Sequence, residues 1–356
     1  MAQVTLGDVA IESRETYKGD KSGMPIVGLE HLIPEDVVLS LWDRDKENTF
    51  TKMFRKSDML FGRRRAYLKK AAQAPFDGIC SGDITVIRAK EDRLIPELLP
   101  FIIQNDVLFD FAVGKSAGSL SPRVKWENLK NYKFELPPLP EQKKLAEALW
   151  AINDTLQAYQ KLLIETDELV KSQFIEMFAN KGYPKKRGKD LFKFSSGKFL
   201  SEEKRLSEGI PVYGGNGIAW YTDEPLITED TIIIGRVGAY CGNVRLVRGD
   251  KWITDNAIYI TQFKSNDFEL EFLEKLMAIY DFHQYAGAAA QPKITQKPLE
   301  LQMYVVPPLD IQRQFADFVQ QSDKSKFALQ NAISAARETK RSIIADALGI
   351  KGKTNY

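Results

Sequence analysis

From Leu145 onward the apolar positions of the chain fall at alternating steps of four and three. They are Leu145, Leu149, Ile152, Leu156, Tyr159, Leu163, Val170 and Met177, with Thr166 and Gln173 in two polar slots. A line of this period predicts one long helix whose seam needs a partner helix. Its entrance reads Pro137-Pro138-Leu139-Pro140-Glu141-Gln142. Proline costs little before and at the first turn of a helix, and Glu141 stands where the helix dipole favours an acid. The pattern runs to Asn180, and Gly182 and Pro184 stop it. A helix of about 40 residues spans roughly 60 Å.

A second line follows Pro307-Pro308-Leu309-Asp310-Ile311-Gln312, offset from the first entrance by 307 − 137 = 170 residues. It carries Phe315, Val319, Leu329, Ile333, Ala336, Ile343 and Ala347, but Ser322, Lys326 and Lys340 interrupt it. Other matches keep nearly the same offset. Ser121-Pro122-Arg123-Val124 answers Gln291-Pro292-Lys293-Ile294, and Gly62-Arg63-Arg64-Arg65-Ala66-Tyr67 answers Gly235-Arg236-Val237-Gly238-Ala239-Tyr240 at 235 − 62 = 173. Matches in one order at nearly one offset imply an internal duplication, with a period far too long for a solenoid.

Between the helical stretches the period shortens. Pro25–Leu29, Met59–Phe61 and Ile84–Ile87 read as strands, and so do Pro211–Tyr213, Thr231–Gly235 and Ile258–Ile260. Leu94–Phe111 and Phe268–Tyr285 read as helices with broad apolar faces. Each is followed by a small-residue loop, Gly114–Ser119 or Gly287–Ala290. The expected fold class is α+β, with globular parts at 1–136 and 183–306 and long helices at 137–182 and 307–350.

Composition adds little to this picture. The 356 residues hold 44% apolar residues, enough for real cores, and no run long enough for a membrane span. The first residues show no basic-then-apolar leader, and two cysteines, Cys80 and Cys241, suit a reducing compartment, so a cytoplasmic location is expected. Both cysteines read as small buried hydrophobes, and two histidines allow no zinc spacing. Net charge is only +2, but basic residues cluster at Lys52–Lys70 and Lys181–Lys193. Local patches of this kind suit phosphate binding whatever the total charge.

No phosphate-binding loop, metalloprotease helix or methyltransferase motif is present. Asp190, Glu202 and Lys204 loosely imitate the carboxylate–carboxylate–lysine set of metal-dependent nucleases, a triplet that a chain with 28% charged residues yields readily by chance. The two glycine–arginine segments carry more chemistry. In each, an apolar strand ends in glycine and delivers arginine to a loop, and the arginine fork can clamp a phosphate or read guanine. The proline–cation segments, with Arg123 and Lys125 in one repeat and Lys293 in the other, suit a backbone approaching phosphate closely. The candidates for DNA contact are Arg63, Arg64, Arg65, Tyr67, Arg123, Lys125, Tyr213, Asn216, Arg236, Tyr240 and Lys293. The helix–helix seam candidates are Leu145, Leu149, Ile152, Leu156, Leu163, Phe315, Val319, Leu329 and Ile333.

The helix entrances at Leu136–Gln142 and Val306–Gln312, the long helix after each and the proline–cation segment before each resemble the specificity (S) subunit of type I restriction–modification systems. One departure is Ile311, where the first entrance has Glu141. The resemblance implies two similar α/β target recognition domains, separated by two long antiparallel coiled-coil helices in a pseudo-twofold arrangement. It implies a non-catalytic subunit, each domain reading one half of a split site on double-stranded DNA. Two methyltransferase (M) subunits would dock for adenine methylation, and two motor-nuclease (R) subunits would join them. S-adenosylmethionine, ATP and magnesium are then expected on those partners and no cofactor on this chain. Two other readings remain open: a self-sufficient magnesium-dependent endonuclease using Asp190, Glu202 and Lys204, and a coiled-coil adaptor that binds only protein.

Overall fold

The computed structural model describes residues 2–179, 181–286 and 292–350. Asn180, the loop Gly287–Ala290 with Gln291, and the tail 351–356 lie outside the described residues. The chain divides into two compact units, one formed by 1–161 with 329–356 and the other by 162–328. No helix among the described residues is long and apolar enough to cross a membrane.

In the first unit, strands Ala10–Glu12, Ile84–Ala89, Met59–Gly62 and Ala71–Gln73 lie side by side in that order, all antiparallel. The central strands are apolar without a break, which means that both faces are covered. Met59, Phe61 and Ile87 join the helices in one core, while Leu60, Val86 and Ile84 join Val27, Phe54 and Cys80 in another. That second layer is a small sheet of Ile26–Val27, Gly78–Cys80 and Lys52–Phe54, its first pair parallel.

The second unit repeats the plan. Its large sheet runs Phe192–Ser196, Ala257–Phe263, Thr231–Gly235, Val244–Val247, again antiparallel throughout. Ile232, Ile234, Ile258 and Ile260 face the helical core, and Ile233 and Ala257 face the small sheet. The parallel pair of that small sheet is Ile210–Gly214 with Trp252–Ile253. Its third strand, Gly217–Thr222, forms a hairpin on Ile210–Gly214, whereas the first unit adds Lys52–Phe54 on the opposite side of its pair.

The helix expected over Leu94–Phe111 is two helices, Leu99–Ile103 and Asp106–Gly114. Asn105 breaks it: its side-chain oxygen accepts from Leu108 N at 2.8 Å and caps a new start. The stretch Phe268–Tyr285 likewise resolves into Leu270–Ile279 and a short turn of 3₁₀ helix at Phe282–Tyr285, separated by Asp281 at φ 48°.

The first long helix is Leu139–Phe178 and the second Leu309–Ala347, each shared between the two units. Within the second unit the two helix segments run antiparallel: Phe315 meets Phe174 and Phe178, while Lys326 pairs with Asp167 at 3.0 Å. Within the first unit Ala146 and Leu149 share a core with Ile344 and Leu348. Of the seam candidates Leu149, Leu156, Phe315, Val319 and Ile333 are buried, and Leu145, Ile152, Leu163 and Leu329 are half-buried. Gln142, Ala146, Leu149, Asn153 and Leu156 form a buried line at steps of four and three, and Phe174 and Phe178 are buried further along; of these only Leu149 and Leu156 are among the seam candidates.

Both entrances are held by the same clamp. Gln142 is 1% exposed and Gln312 is 0% exposed. Gln142 Oε1 accepts from Ile95 N at 3.1 Å, and its Nε2 donates to Arg93 O and Pro137 O, both at 2.9 Å. Gln312 Oε1 accepts from Glu269 N at 2.9 Å, and its Nε2 donates to Asp267 O at 2.7 Å and Pro307 O at 2.8 Å. One primary amide thereby satisfies a donor and two acceptors that the backbone leaves unpaired at a helix start. Glu141 is exposed at the surface. Its replacement by Ile311 in the second entrance therefore leaves the clamp intact.

A carboxylate–arginine network ties the first unit across its large sheet. Asp58, 2% exposed, accepts from Nε and Nη2 of Arg88, each at 2.7 Å, and Glu15 takes Arg88 Nη1 at 2.7 Å and Arg55 Nε at 2.9 Å. Arg88 first and Arg55 second hold the Glu15 carboxyl below its ordinary range, and the Lys56 N–H, followed by Arg55, does the same to Asp77. Groups depressed in the folded state contribute stability above their unfolded value, about 4, which is lost as pH falls through the folded value. Thermal unfolding of the chain is therefore expected to hold steady from pH 7 to about 5 and to drop below about 4. Arg88→Met is expected to flatten that acid limb, and an unchanged limb in the variant contradicts the assignment.

Candidate nucleic-acid interface

The strand Met59–Gly62 delivers Arg63–Arg65, and the strand Thr231–Gly235 delivers Arg236–Gly238. In the first unit Arg63 N donates to Asp83 O at 3.0 Å, Val124 N donates to Arg63 O at 2.9 Å, and Arg65 N donates to Pro122 O at 2.9 Å. In the second, Arg236 N donates to Asn256 O at 2.9 Å, Ile294 N to Arg236 O at 2.9 Å, and Gly238 N to Pro292 O at 3.0 Å. The bridges Arg64–Arg123 and Val237–Lys293 lie between them. The arginine segment and the proline–cation segment, about sixty residues apart in the sequence, thus meet in each unit by the same two backbone bonds, and a third ties the arginine segment to Asp83 or to Asn256.

The chain turns here through a left-handed residue. It is Arg65 at φ 54° in the first unit and Gly238 at φ 77° in the second, where no Cβ opposes the conformation. Gly235 has a different reason: a Cβ there would sit 2.1 Å from Tyr240 O.

Asp83 organises the charges of the first site. It accepts from Arg123 Nε at 2.7 Å and Nη2 at 3.3 Å, and Arg64 Nη1 lies 3.5 Å away. Arg64 Nε also donates to Ser121 Oγ at 2.5 Å. The Arg123 guanidinium holds the Asp83 carboxyl below its ordinary range, and Asp83 raises Arg123 in turn, so both stay charged at neutral pH. Arg65, Lys125 and Tyr67 are exposed, and neither cation has an ion pair among the described residues. Arg63 Nε is buried and has no hydrogen-bond partner among the described residues.

In the second unit Arg236 Nη1 donates to Asp255 O at 3.0 Å, while Lys293 and Tyr240 are exposed. Asn216 is exposed at the hairpin turn, and Gly215 beside it packs against Gly235 and Val237, which brings that turn to the arginine loop. Tyr213 is half-buried and packs against the core around Ile233 and Ile253. Sequence reading missed Asp83, Ser121 and Asn256, and also the Arg205 guanidinium lying 4.0 Å from the Trp220 ring on the same hairpin. Asp83 and Asn256 were findable, since 256 − 83 = 173 repeats the glycine–arginine offset.

Two members of the nuclease triplet are engaged with other partners. Lys204 pairs with Glu224 at 3.1 Å and Glu202 with Arg205 at 3.4 Å, and no hydrogen bond or ion pair joins Asp190 to either among the described residues. Glu30, His31 and Asp43 bring three donor atoms together, but His31 Nδ1 accepts from Gly28 N at 2.9 Å and Lys46 occupies Asp43 at 2.7 Å.

The model of the family described as type I restriction modification DNA specificity domain matches residues 1–166 and again 180–337. The chain belongs to this family. Its two matches cover the two copies of the loop-and-clamp arrangement. The chain is 27% identical over 166 residues to the type I restriction enzyme EcoprrI specificity subunit of Escherichia coli, covering 45% of this chain and 40% of that protein. It is 30% identical over 107 residues to the EcoDI specificity subunit of Escherichia coli, covering 29% and 23% of the two chains. The matched parts thus span less than half the length of these relatives. Over nearly full length the fold is similar to the S subunit of a type I restriction-modification system from M. genitalium, with a TM-score of 0.63, 16% identity, and coverage of 98% and 96%. A chain solved in work on complex assembly and conformational transition of the type I R-M system aligns with a TM-score of 0.58 and 20% identity, covering 97% of each chain.

Proposed function

We propose that this chain is the DNA-specificity subunit of a type I restriction–modification complex, without catalytic activity of its own. Each globular part, 1–136 and 183–306, reads one half of a split site on double-stranded DNA, and the helices at 137–182 and 307–350 act as spacers. The observation that carries this reading is the repeated loop, in which cations from two distant segments converge beside a backbone turn in both units. Duplicated readers on a stiff spacer suit a bipartite site, because separation along DNA must match separation in protein. Two M subunits and two R subunits complete the assembly in the cytoplasm, and they carry S-adenosylmethionine, ATP and magnesium. Leu162, Ile164, Leu169, Ile175 and Phe327 are exposed apolar residues on the long helices and suit docking by partner helices.

Co-expression with the cognate methyltransferase and mapping of methylated adenines tests this. Two short motifs at a fixed spacing are expected, and methylation without a bipartite motif overturns the reading. Within that assay Arg236→Ala is expected to relax one base position of one half-site at a cost of about 1–3 kcal/mol. Lys293→Ala is expected to weaken all sequences alike and to lower the salt dependence of binding by about one ion. Unchanged binding in both variants removes them from the interface.

A further inference from the structure

The strand Val244–Val247 lies at the edge of the large sheet of the second unit. Val244 and Leu246 pack on the helical core, and Val247 joins the core between the two sheets. Alternation puts Arg245 on the same face as Val247, opposite Ile233 in the ladder. The first unit has the matching pair Leu60 and Ala72, at 233 − 60 = 173 and 245 − 72 = 173. Ala72 is 1% exposed, so a small buried residue serves this place in one unit and an exposed arginine in the other. The hairpin Ile210–Thr222 accompanies the change, because the first unit has its third strand on the other side of the parallel pair. At the hairpin turn Gly217, φ 112°, has no side chain, and a Cβ there would lie 3.6 Å from the central carbon of the Arg245 guanidinium. The guanidinium thus lies beside the same turn whose Gly215 packs against Gly235 and Val237 of the arginine loop. Arg248, three residues along, is held by Asp230 and Glu271. Arg245 has no hydrogen bond or ion pair among the described residues.

We propose, resting on the DNA-reading function above, that Arg245 holds a backbone phosphate of the half-site bound by the second unit, a contact the first unit lacks. The turn Gly214-Gly215-Asn216-Gly217 carries one side chain, so a duplex backbone can approach it closely. Arg123 of the first unit has its fork oriented by Asp83, whereas no carboxylate orients Arg245, which therefore acts by its charge and not as a bidentate reader of bases. The test uses the full chain co-purified with its methyltransferase and a duplex carrying the mapped bipartite site, titrated over a series of salt concentrations. Arg245→Gln is expected to weaken binding about five- to tenfold at about 0.1 M salt, to lower the slope of log K against log salt by about 0.9, and to leave the methylated motif unchanged. Arg245→Lys keeps the charge and is expected to keep the slope. Arg248→Gln, on the same edge strand but already ion-paired, is expected to change neither affinity nor slope. Wild-type affinity and slope in Arg245→Gln, with a bipartite motif intact, overturn the contact and leave the DNA-reading function standing. Relaxation of one base position in either Arg245 variant overturns the phosphate assignment in favour of base reading. A wild-type complex that methylates without a bipartite motif defeats the underlying function, and this contact with it.

Discussion

Gln142→Leu and Gln312→Leu are each expected to destabilise the chain by about 3 kcal/mol, more than any surface substitution on the long helices. Each glutamine is fully enclosed and serves three backbone groups. Leucine fills the same space and leaves one N–H and two carbonyls without partners, and each buried orphan costs about 1–3 kcal/mol before relaxation. The glutamate variant sharpens the test. It preserves the acceptor for Ile95 N or Glu269 N but turns a second oxygen toward two carbonyl oxygens. Gln142→Glu is therefore expected to be at least as damaging as leucine, although it is nearly isosteric. Hydrogen exchange locates the effect: Gln142 variants should release protection around Arg93–Ile95 first, and Gln312 variants around Asp267–Glu269. A loss below about 1 kcal/mol for either leucine variant shows that the clamp is dispensable.

Phe315→Ala is expected to cost about 3–5 kcal/mol, the range for emptying an aromatic site in a packed core. Phe315 is fully buried, and its ring lies 5.6 Å from Phe174, 5.3 Å from Phe178 and 6.1 Å from Phe272. Those rings come from the end of the first long helix and from Leu270–Ile279, so one side chain knits three helices of the second unit. A double-mutant cycle with Phe178→Leu should return a coupling of about 0.5–1.5 kcal/mol. The matched position of the first unit, at 315 − 170 = 145, is half-buried Leu145, so Leu145→Ala should cost clearly less. Equal losses at the two positions, read from chemical denaturation, contradict the packing described.

The duplication was legible because its marks are local: two helix entrances, two glycine–arginine segments and two proline–cation segments at nearly constant offsets. The buried-type strands were legible for the same reason, since unbroken apolar runs such as Thr231–Gly235 report cover on both faces. What escaped is non-local. Asp83 meets Arg123 from forty residues away and Glu15 meets Arg88 from seventy-three. The seam was read from apolar spacing alone, so buried Gln142 and Asn153 were passed over although they continue the period. Asn105 was read as one turn of a helix because its capping role depends on φ and ψ, not on hydropathy. Tyr213, beside a glycine turn, is half-buried and packs against the core around Ile233 and Ile253.

Ile344 and Leu348 belong to the core of the first unit, and Leu348 O accepts from Glu135 N at 2.8 Å. On a ribosome these residues, with Ile350, emerge last of that core. At ~5–20 residues per second, the 328 − 161 = 167 residues between the two parts of this unit take roughly 8–33 seconds to appear. The first module therefore waits unfinished, with an open apolar flank, while the second can already be complete. Chaperone demand during biosynthesis should fall on the earlier half of the polypeptide.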